Sequence, residues 1–151
     1  MKTLLIIIGF GIAIMGMESS DFSNGFFPAD KSKGIEFLSL SWEKALSKAK
    51  AENKLIFLDA YASWCGPCKL LKSRTFTDEE AGEFFNKHFV NVAIDMEKGD
   101  GRELAKKFKI RAYPTLIFVD GDGNPVVLTE GFVNPGQLLK FGNHALSKHK
   151  N

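Results

Sequence analysis

Short apolar runs alternate with stretches of helical periodicity along most of the chain. Trp42, Ala45 and Ala49 recur at helical spacing behind Ser41, a residue type that favours the N-cap position. The same reasoning predicts five helices, at positions 42–52, 66–74, from a capping box at 77–80 to 87, 102–108 and 135–147. Continuous apolar runs predict five strands, at positions 35–40, 55–58, 89–95, 115–119 and 125–128.

The order of these elements predicts the fold class. Helices separate the first three strands, which favours parallel pairing, whereas the turn-forming residues at positions 120–124 join the last two strands as an antiparallel hairpin. The resulting order is β-α-β-α-α-β-α-β-β-α. It predicts an α/β fold with three layers, α/β/α, and a mixed central sheet that is parallel at first and antiparallel later.

The N-terminal segment has the pattern of an export signal. One lysine precedes an uncharged apolar run at positions 4–17, which is shorter than the roughly 20 residues of a membrane-spanning helix. We therefore expect positions 1–17 to be a cleaved signal peptide or a short uncleaved anchor, with a buried N-terminal element of the fold as the alternative. The Ser- and Gly-containing segment 18–34 is predicted to be a linker before a domain at 35–151.

Composition and charge exclude several classes of protein. Hydrophobic residues make up 44% of the chain and charged residues 25%, which is typical of a globular domain and unlike a disordered or coiled-coil chain. A net charge of +2 gives no reason to expect a nucleic acid partner. Two cysteines are too few for a disulfide-stapled scaffold, and the three histidines are not at metal-ligand spacing, so we expect neither a cofactor nor a bound metal.

The strongest chemical signal is the segment Trp64-Cys65-Gly66-Pro67-Cys68, between a predicted strand and a predicted helix. A thiol at the start of a helix faces unpaired backbone N–H groups and the positive end of the helix dipole, and both stabilise the thiolate. Cys68 lies one helical turn later, within reach of a mixed disulfide on Cys65. We therefore expect Cys65 to attack and Cys68 to resolve. A static disulfide is the structural alternative, although so small a loop gains little stability from one.

Two further segments point to the same chemistry. Asp59 follows the apolar run at 55–58 and precedes Cys65 by six residues, so we expect its carboxylate to be partly desolvated and its pKa to be raised. Such a group can accept the proton of Cys68 through a water molecule, whereas the alternative role is to cap the following loop. Tyr113-Pro114 precedes another strand, and a cis bond there would expose backbone groups to an extended substrate peptide.

These residues resemble the thioredoxin superfamily over about positions 35–146. The resemblance rests on positions 58–69 (LDAYASWCGPCK), positions 110–115 (IRAYPT) and Gly131. The first motif, together with positions 75–78, is most similar to exported bacterial thioredoxin-like proteins, such as the C-terminal domain of thiol–disulfide interchange proteins. The resemblance implies that Cys65 attacks, Cys68 resolves, Asp59 is the buried acid and Pro114 is cis. It also implies a substrate-binding surface made by Trp64, Gly66, Pro67, Ala112, Tyr113, Pro114 and Gly131.

Two positions depart from the thioredoxin pattern. The strand position that usually carries a buried lysine opposite the aspartate corresponds here to Asn91, which implies a less compensated Asp59. Ala112 replaces the glycine that is common two residues before the cis proline, which implies a slightly narrower groove. Both departures concern the range of substrates rather than the reaction.

The resemblance also implies a direction of electron flow. Thioredoxin-like motifs have potentials near −270 mV, whereas strong oxidants of this fold are near −120 mV. Gly-Pro between the cysteines is associated with the reducing end, so we expect a reductant of protein disulfides that acts as a monomer and is recharged by an upstream, membrane-bound electron donor. The alternatives are a disulfide isomerase or oxidase, and a non-enzymatic peptide-binding or metal-chaperone module.

Overall fold

A computed structural model describes residues 34–149. The predicted signal segment and nearly all of the predicted linker lie outside these residues. Between residues 34 and 149, no helix combines the length and the apolar character needed to cross a bilayer.

A mixed four-stranded sheet forms the middle of the fold. Its strands are β1 (Leu55–Tyr61), β2 (Phe89–Asp95), β3 (Thr115–Val119) and β4 (Pro125–Glu130), in the spatial order β2-β1-β3-β4. β1 pairs in parallel with β2, and antiparallel with β3, which in turn pairs antiparallel with β4. β1 is therefore a central strand, and its residues are buried almost to its end.

Five α-helices cover the two faces of the sheet: α1 (Trp42–Glu52), α2 (Gly66–Leu70), α3 (Glu79–His88), α4 (Gly101–Lys107) and α5 (Pro135–His149). Apolar residues of α1 and α4 pack on one face, together with alternate residues of β1 and β2. Residues of α3 and α5 pack on the opposite face around a cluster of phenylalanines. The predicted three-layer α/β/α class is confirmed, and so is the division of the sheet into parallel and antiparallel parts.

The helix that begins after Cys65 changes its winding halfway. α2 continues directly into a π-helical turn at Leu71–Thr75, in which the Phe76 N–H bonds the Leu71 carbonyl five residues back at 2.8 Å. The helix predicted at 66–74 is thus correct in extent, but its second half is wider than an α-helix. π-helical turns are rare and are often found at functional sites.

The structure corrects two other element predictions. Positions 35–40 do not form a strand. Their backbone hydrogen bonds to the rest of the fold are isolated ones, Ile35 N–H to Phe76 O at 2.7 Å and Leu38 N–H to Asn91 O at 2.9 Å. The sheet therefore has four strands instead of five. The N-cap of α3 is Asp78 rather than the preceding threonine, since the Asp78 side chain accepts the Ala81 N–H at 2.9 Å.

The ends of α5 and of the β3–β4 hairpin follow the prediction closely. Asn134 and Gln137 exchange side-chain-to-backbone hydrogen bonds, both at 2.9 Å, which places Pro135 in the first turn of α5. In the hairpin loop the Asp120 carboxylate accepts the N–H groups of Asp122 and Asn124. These local bonds explain why the two boundaries are readable from the sequence.

Candidate active site

Cys65 and Cys68 are joined by a disulfide at the start of α2. Their Cα atoms are 5.3 Å apart. Cys65 is the N-cap of the helix, and its Sγ accepts the Cys68 N–H at 3.2 Å. Pro67 occupies the first turn, where a missing N–H costs nothing because those groups have no partner within the helix. The predicted pair of sulfurs, one helical turn apart at a strand-to-helix junction, is therefore present.

The two cysteines are equally buried, but they lie in different surroundings. Each is about 2% exposed, so burial alone does not distinguish an attacking thiol from a resolving one. Cys65 lies directly between two exposed residues, Trp64 and Gly66, whereas Cys68 lies inside the first turn of α2. Trp64 is 66% exposed despite its size. An exposed tryptophan beside a disulfide forms an apolar surface on which a partner chain can pack.

The apolar run suggested that β1 ends at Asp59, but Asp59 lies in the interior of the strand. The strand continues to Tyr61, and the Asp59 backbone pairs with Ala93 on β2 and Leu116 on β3. The side chain is completely buried, and neither carboxyl oxygen makes a hydrogen bond to any described residue. Burial raises the pKa of Asp59 to about 7, an effect that the positive charge of Lys72 partly offsets. The predicted rise of the pKa is confirmed, and desolvation is its main cause.

The loop before β3 approaches the cysteines through Tyr113. The Tyr113–Pro114 peptide bond is cis, as the resemblance implies. The Tyr113 ring contacts the small cluster formed by the two cysteines and Ala62, and meets the Trp64 ring edge-on with centroids 6.0 Å apart. The Ala112 carbonyl accepts the Thr115 hydroxyl at 2.8 Å, which fixes the turn.

Gly131 belongs to the same surface. Its N–H donates to the Pro114 carbonyl at 2.8 Å, and its φ of +86° is a conformation that side chains with a Cβ rarely adopt. The residues proposed for substrate binding thus lie near one another. Trp64, Gly66 and Pro67 flank the cysteines in sequence, Tyr113 contacts both cysteines, and Gly131 bonds Pro114. Which of them touch a substrate stays a prediction.

Two charged residues near the site were missed in the sequence. Glu97, in the loop after β2, accepts the Trp64 indole N–H at 2.8 Å. Lys72, in the π-helical turn, lies over the Tyr61 ring with its Nζ 3.7 Å from the ring centroid. Lys72 follows Cys68 by about one helical turn, which is the one signal in the sequence that associates it with the site.

Asn91 does not take the place of a lysine opposite Asp59. It pairs with Phe57 in the β1–β2 register, and its side-chain amide donates to the Glu36 carbonyl and to Asn86. The expectation was a less compensated Asp59, and the raised pKa of its carboxyl agrees with it, although Lys72 offsets part of the rise. The compensating charge comes from Lys72 on the helix layer and not from the neighbouring strand.

Comparison with known proteins agrees with this geometry. The thioredoxin-like domain family matches residues 42–146. A "Thiol:disulfide interchange protein DsbD" of Yersinia pestis is 30% identical over 95 residues, which are 61% of this chain but 16% of that protein. A thioredoxin H-type of Fagopyrum esculentum is 32% identical over 69% of this chain and 84% of its own length. The chain thus spans about a sixth of the interchange protein it matches.

Solved structures show the same fold. A "putative disulphide-isomerase from Bacteroides thetaiotaomicron" superposes with a TM-score of 0.68 at 43% identity, covering 76% of this chain and 95% of that one. The C-terminal domain of Neisseria meningitidis DsbD in its oxidised form has a TM-score of 0.60 at 21% identity, covering 74% and 99% respectively. The chain belongs to the thioredoxin-like domain family, and its CxxC pair, Cys65 and Cys68 joined as a disulfide, supports thiol–disulfide exchange as its chemistry.

Proposed function

We propose that this protein is exported and reduces disulfide bonds of other proteins, with Cys65 attacking and Cys68 resolving. The observation that carries the proposal is the position of Cys65 as the N-cap of α2, with its sulfur accepting the Cys68 N–H. A donor directed at this sulfur stabilises the thiolate once the disulfide is reduced, and the thiolate is the nucleophile in disulfide exchange.

The reaction has two steps. The Cys65 thiolate attacks one sulfur of a substrate disulfide, which forms a mixed disulfide and releases the other substrate sulfur as a thiolate that takes up a proton. Cys68 then loses its proton and attacks Sγ of Cys65, which closes the Cys65–Cys68 disulfide and releases the second substrate thiolate. The second substrate thiolate also takes up a proton. Counted from the dithiol form, with the proton that Cys65 lost when it became a thiolate included, the protein loses two electrons and two protons and the substrate disulfide gains the same number.

Asp59 is proposed as the group that accepts the Cys68 proton in the second step. Its carboxylate has no hydrogen-bond partner among the described residues, and a pKa of about 7 lets it exchange a proton near neutral pH. A carboxylate with an ordinary pKa would be a much weaker base. The proposed role therefore depends on the burial of Asp59 within β1.

Substrate binding is proposed for the exposed surface around the disulfide. Trp64 and Tyr113 supply aromatic faces, and Gly66 and Pro67 leave room for a chain to approach Cys65. The name of the interchange relative suggests partners in disulfide exchange. We propose in addition that a membrane-bound electron donor regenerates the dithiol, because each reduced substrate leaves the protein oxidised. The apolar segment at positions 4–17 supports export, either as a cleaved signal or as an anchor.

The direction of the reaction is tested by insulin reduction with dithiothreitol as the electron source. We expect the protein without its N-terminal apolar segment to accelerate insulin precipitation. Cys65→Ser should abolish the acceleration. The reduction potential, measured by equilibration with glutathione, is expected to be well below −180 mV. A potential above about −180 mV would instead favour an isomerase or oxidase, the second candidate, which the name of the 43% identical neighbour suggests.

Partners are tested by a trap. Replacing Cys68 with Ala leaves Cys65 unable to complete the second step, so we expect mixed disulfides that mass spectrometry identifies in the native host. The matched control is Cys65→Ser/Cys68→Ala, which cannot form them. If the double variant Cys65→Ser/Cys68→Ser kept the biological role, a non-enzymatic binding module would be the better description.

A further inference from the structure

Asp59 is a buried charge that lacks local support. Neither of its oxygens is hydrogen-bonded among residues 34–149, and an ionised carboxylate in such surroundings is costly unless a cation lies nearby. A cationic side chain near Asp59 therefore determines what fraction of its carboxyl group is ionised at a given pH. The charges on each element around Asp59 therefore have to be considered in turn.

The flanking strands supply no cation. The partners of Asp59 in the sheet are Ala93 on β2 and Leu116 on β3, neither of which carries a charge. The charged residue that follows on β2 is Asp95, and its carboxylate is paired with the Lys98 ammonium at 3.1 Å. An anion that is already paired with its own lysine neither stabilises Asp59 nor strongly opposes it.

The helix layer supplies the cation. This layer holds Cys65 before α2, Cys68 in α2 and Lys72 in the π-helical turn, and the two cysteines carry no charge in the disulfide. Lys72 is the residue whose charge acts on Asp59. Its ammonium is held over the ring of Tyr61, two residues after Asp59 and on the same side of β1.

The π-helical turn explains how Lys72 reaches this place. The hydrogen bond from Phe76 N–H to Leu71 O spans five residues, so side chains of this turn point in directions that an α-helix would not give them. Lys72 keeps an exposed stem while its ammonium rests on the Tyr61 ring. The contact thus fixes a flexible side chain at the border between solvent and the buried carboxylate.

We propose that Lys72 is a positioning residue that acts as the countercharge of Asp59 and maintains the ionised carboxylate that receives the proton of Cys68. The electrostatic part follows from the geometry, and the part in proton transfer rests on the proposed function. The contact that places Lys72 is the one between its ammonium and the Tyr61 ring. The effect of Lys72 is transmitted through Asp59 alone.

The first experiment measures the carboxyl group directly. The Asp59 side chain is followed by carbon-13 NMR across a pH titration of the oxidised protein, in the wild type and in Lys72→Met, Lys72→Arg and Arg74→Met. We expect Lys72→Met to raise the Asp59 pKa further above its ordinary value, because the positive charge of Lys72 favours the ionised carboxylate. Lys72→Arg should restore the wild-type value, and Arg74→Met, a charge removed from the same exposed turn, should leave it unchanged.

The second experiment connects the carboxyl group to the reaction. The pH profile of insulin reduction is recorded for the same variants, and we expect the acid limb of Lys72→Met to move to higher pH by the amount measured in the titration. An unchanged titration in Lys72→Met, or an equal change in Arg74→Met, overturns the countercharge. A shifted titration with an unmoved pH profile overturns the role in proton transfer. If Lys72→Met shifts the Asp59 titration but the wild type does not reduce insulin, the countercharge is upheld and the proposed reductase activity is rejected instead.

Discussion

Replacing Asp59 with Asn should change the way in which stability depends on pH. The folded protein holds the Asp59 proton up to a pKa of about 7, whereas the unfolded chain releases it near the ordinary value of 3.8. Between these two pH values the folded state binds more protons than the unfolded state, so the free energy of unfolding falls as pH rises and the loss is complete above about pH 7. Asparagine has nearly the same shape and does not titrate.

The size of the effect follows from the same two values. The difference of 3.2 between about 7 and 3.8, at roughly 1.4 kcal/mol for each pKa unit, corresponds to about 4 kcal/mol. The buried amide of Asp59→Asn also lacks partners, which costs about 1–3 kcal/mol, but this cost is the same at every pH. Relative to the wild type, the variant should therefore gain about 4 kcal/mol between about pH 4 and about pH 8.

The assay is urea unfolding of both proteins with the disulfide intact, followed by far-ultraviolet circular dichroism at a series of pH values. Asp120→Asn serves as the control of opposite sign, because hydrogen bonds from the backbone and side chain of Asn124 hold the pKa of Asp120 below its ordinary value despite some desolvation. The wild type should gain stability over Asp120→Asn as pH rises through the acidic range up to about 4, because only the folded state keeps Asp120 ionised below its ordinary pKa of 3.8. A difference between wild type and Asp59→Asn that stays constant from about pH 4 to about pH 8 would refute the reasoning, since it would show that Asp59 ionises normally.

Three further substitutions test the packing around the site by the same urea assay. Thr75→Val should cost about 1–3 kcal/mol, because the buried Thr75 hydroxyl donates to the Val133 carbonyl at 2.6 Å. A variant as stable as the wild type would contradict this. Gly82→Ala should destabilise strongly, since a Cβ at this position would lie 2.4 Å from the Gly34 backbone, and an unchanged midpoint would show that the contact is absent in solution. Phe57→Ala should cost about 3–5 kcal/mol as a fully buried ring is lost, with Phe57→Leu as the milder control.

The parts of the fold that depend on local bonding could be predicted from the sequence. The bounds of β2 and β3 follow from continuous apolar runs, and α5 begins at a capping pair that needs only four consecutive residues. β1 was predicted too short, because Asp59 interrupts its apolar pattern. The strand continues through Asp59 because Asp59 is paired in register with Ala93 on β2 and Leu116 on β3, and this pairing depends on tertiary structure.

The cysteine pair and Asp59 were identified from the sequence because their residue types and spacing carry the chemistry. Lys72 and Glu97 could not be identified in this way. Glu97 reaches Trp64 from 33 residues away, and Lys72 acts on a strand residue through a helical turn whose winding the sequence does not reveal. The electrostatic balance at the site is therefore a property of the folded chain.

The outer edge of β4 has a consequence for encounters with other polypeptide chains. An exposed edge strand offers unpaired backbone groups on which such chains can nucleate aggregates. β4 begins with Pro125, which has no N–H, pairs with β3 through an irregular register and ends at the charged Glu130. These features make the edge a poor template for an added strand, so another polypeptide chain would form few hydrogen bonds by extending the sheet.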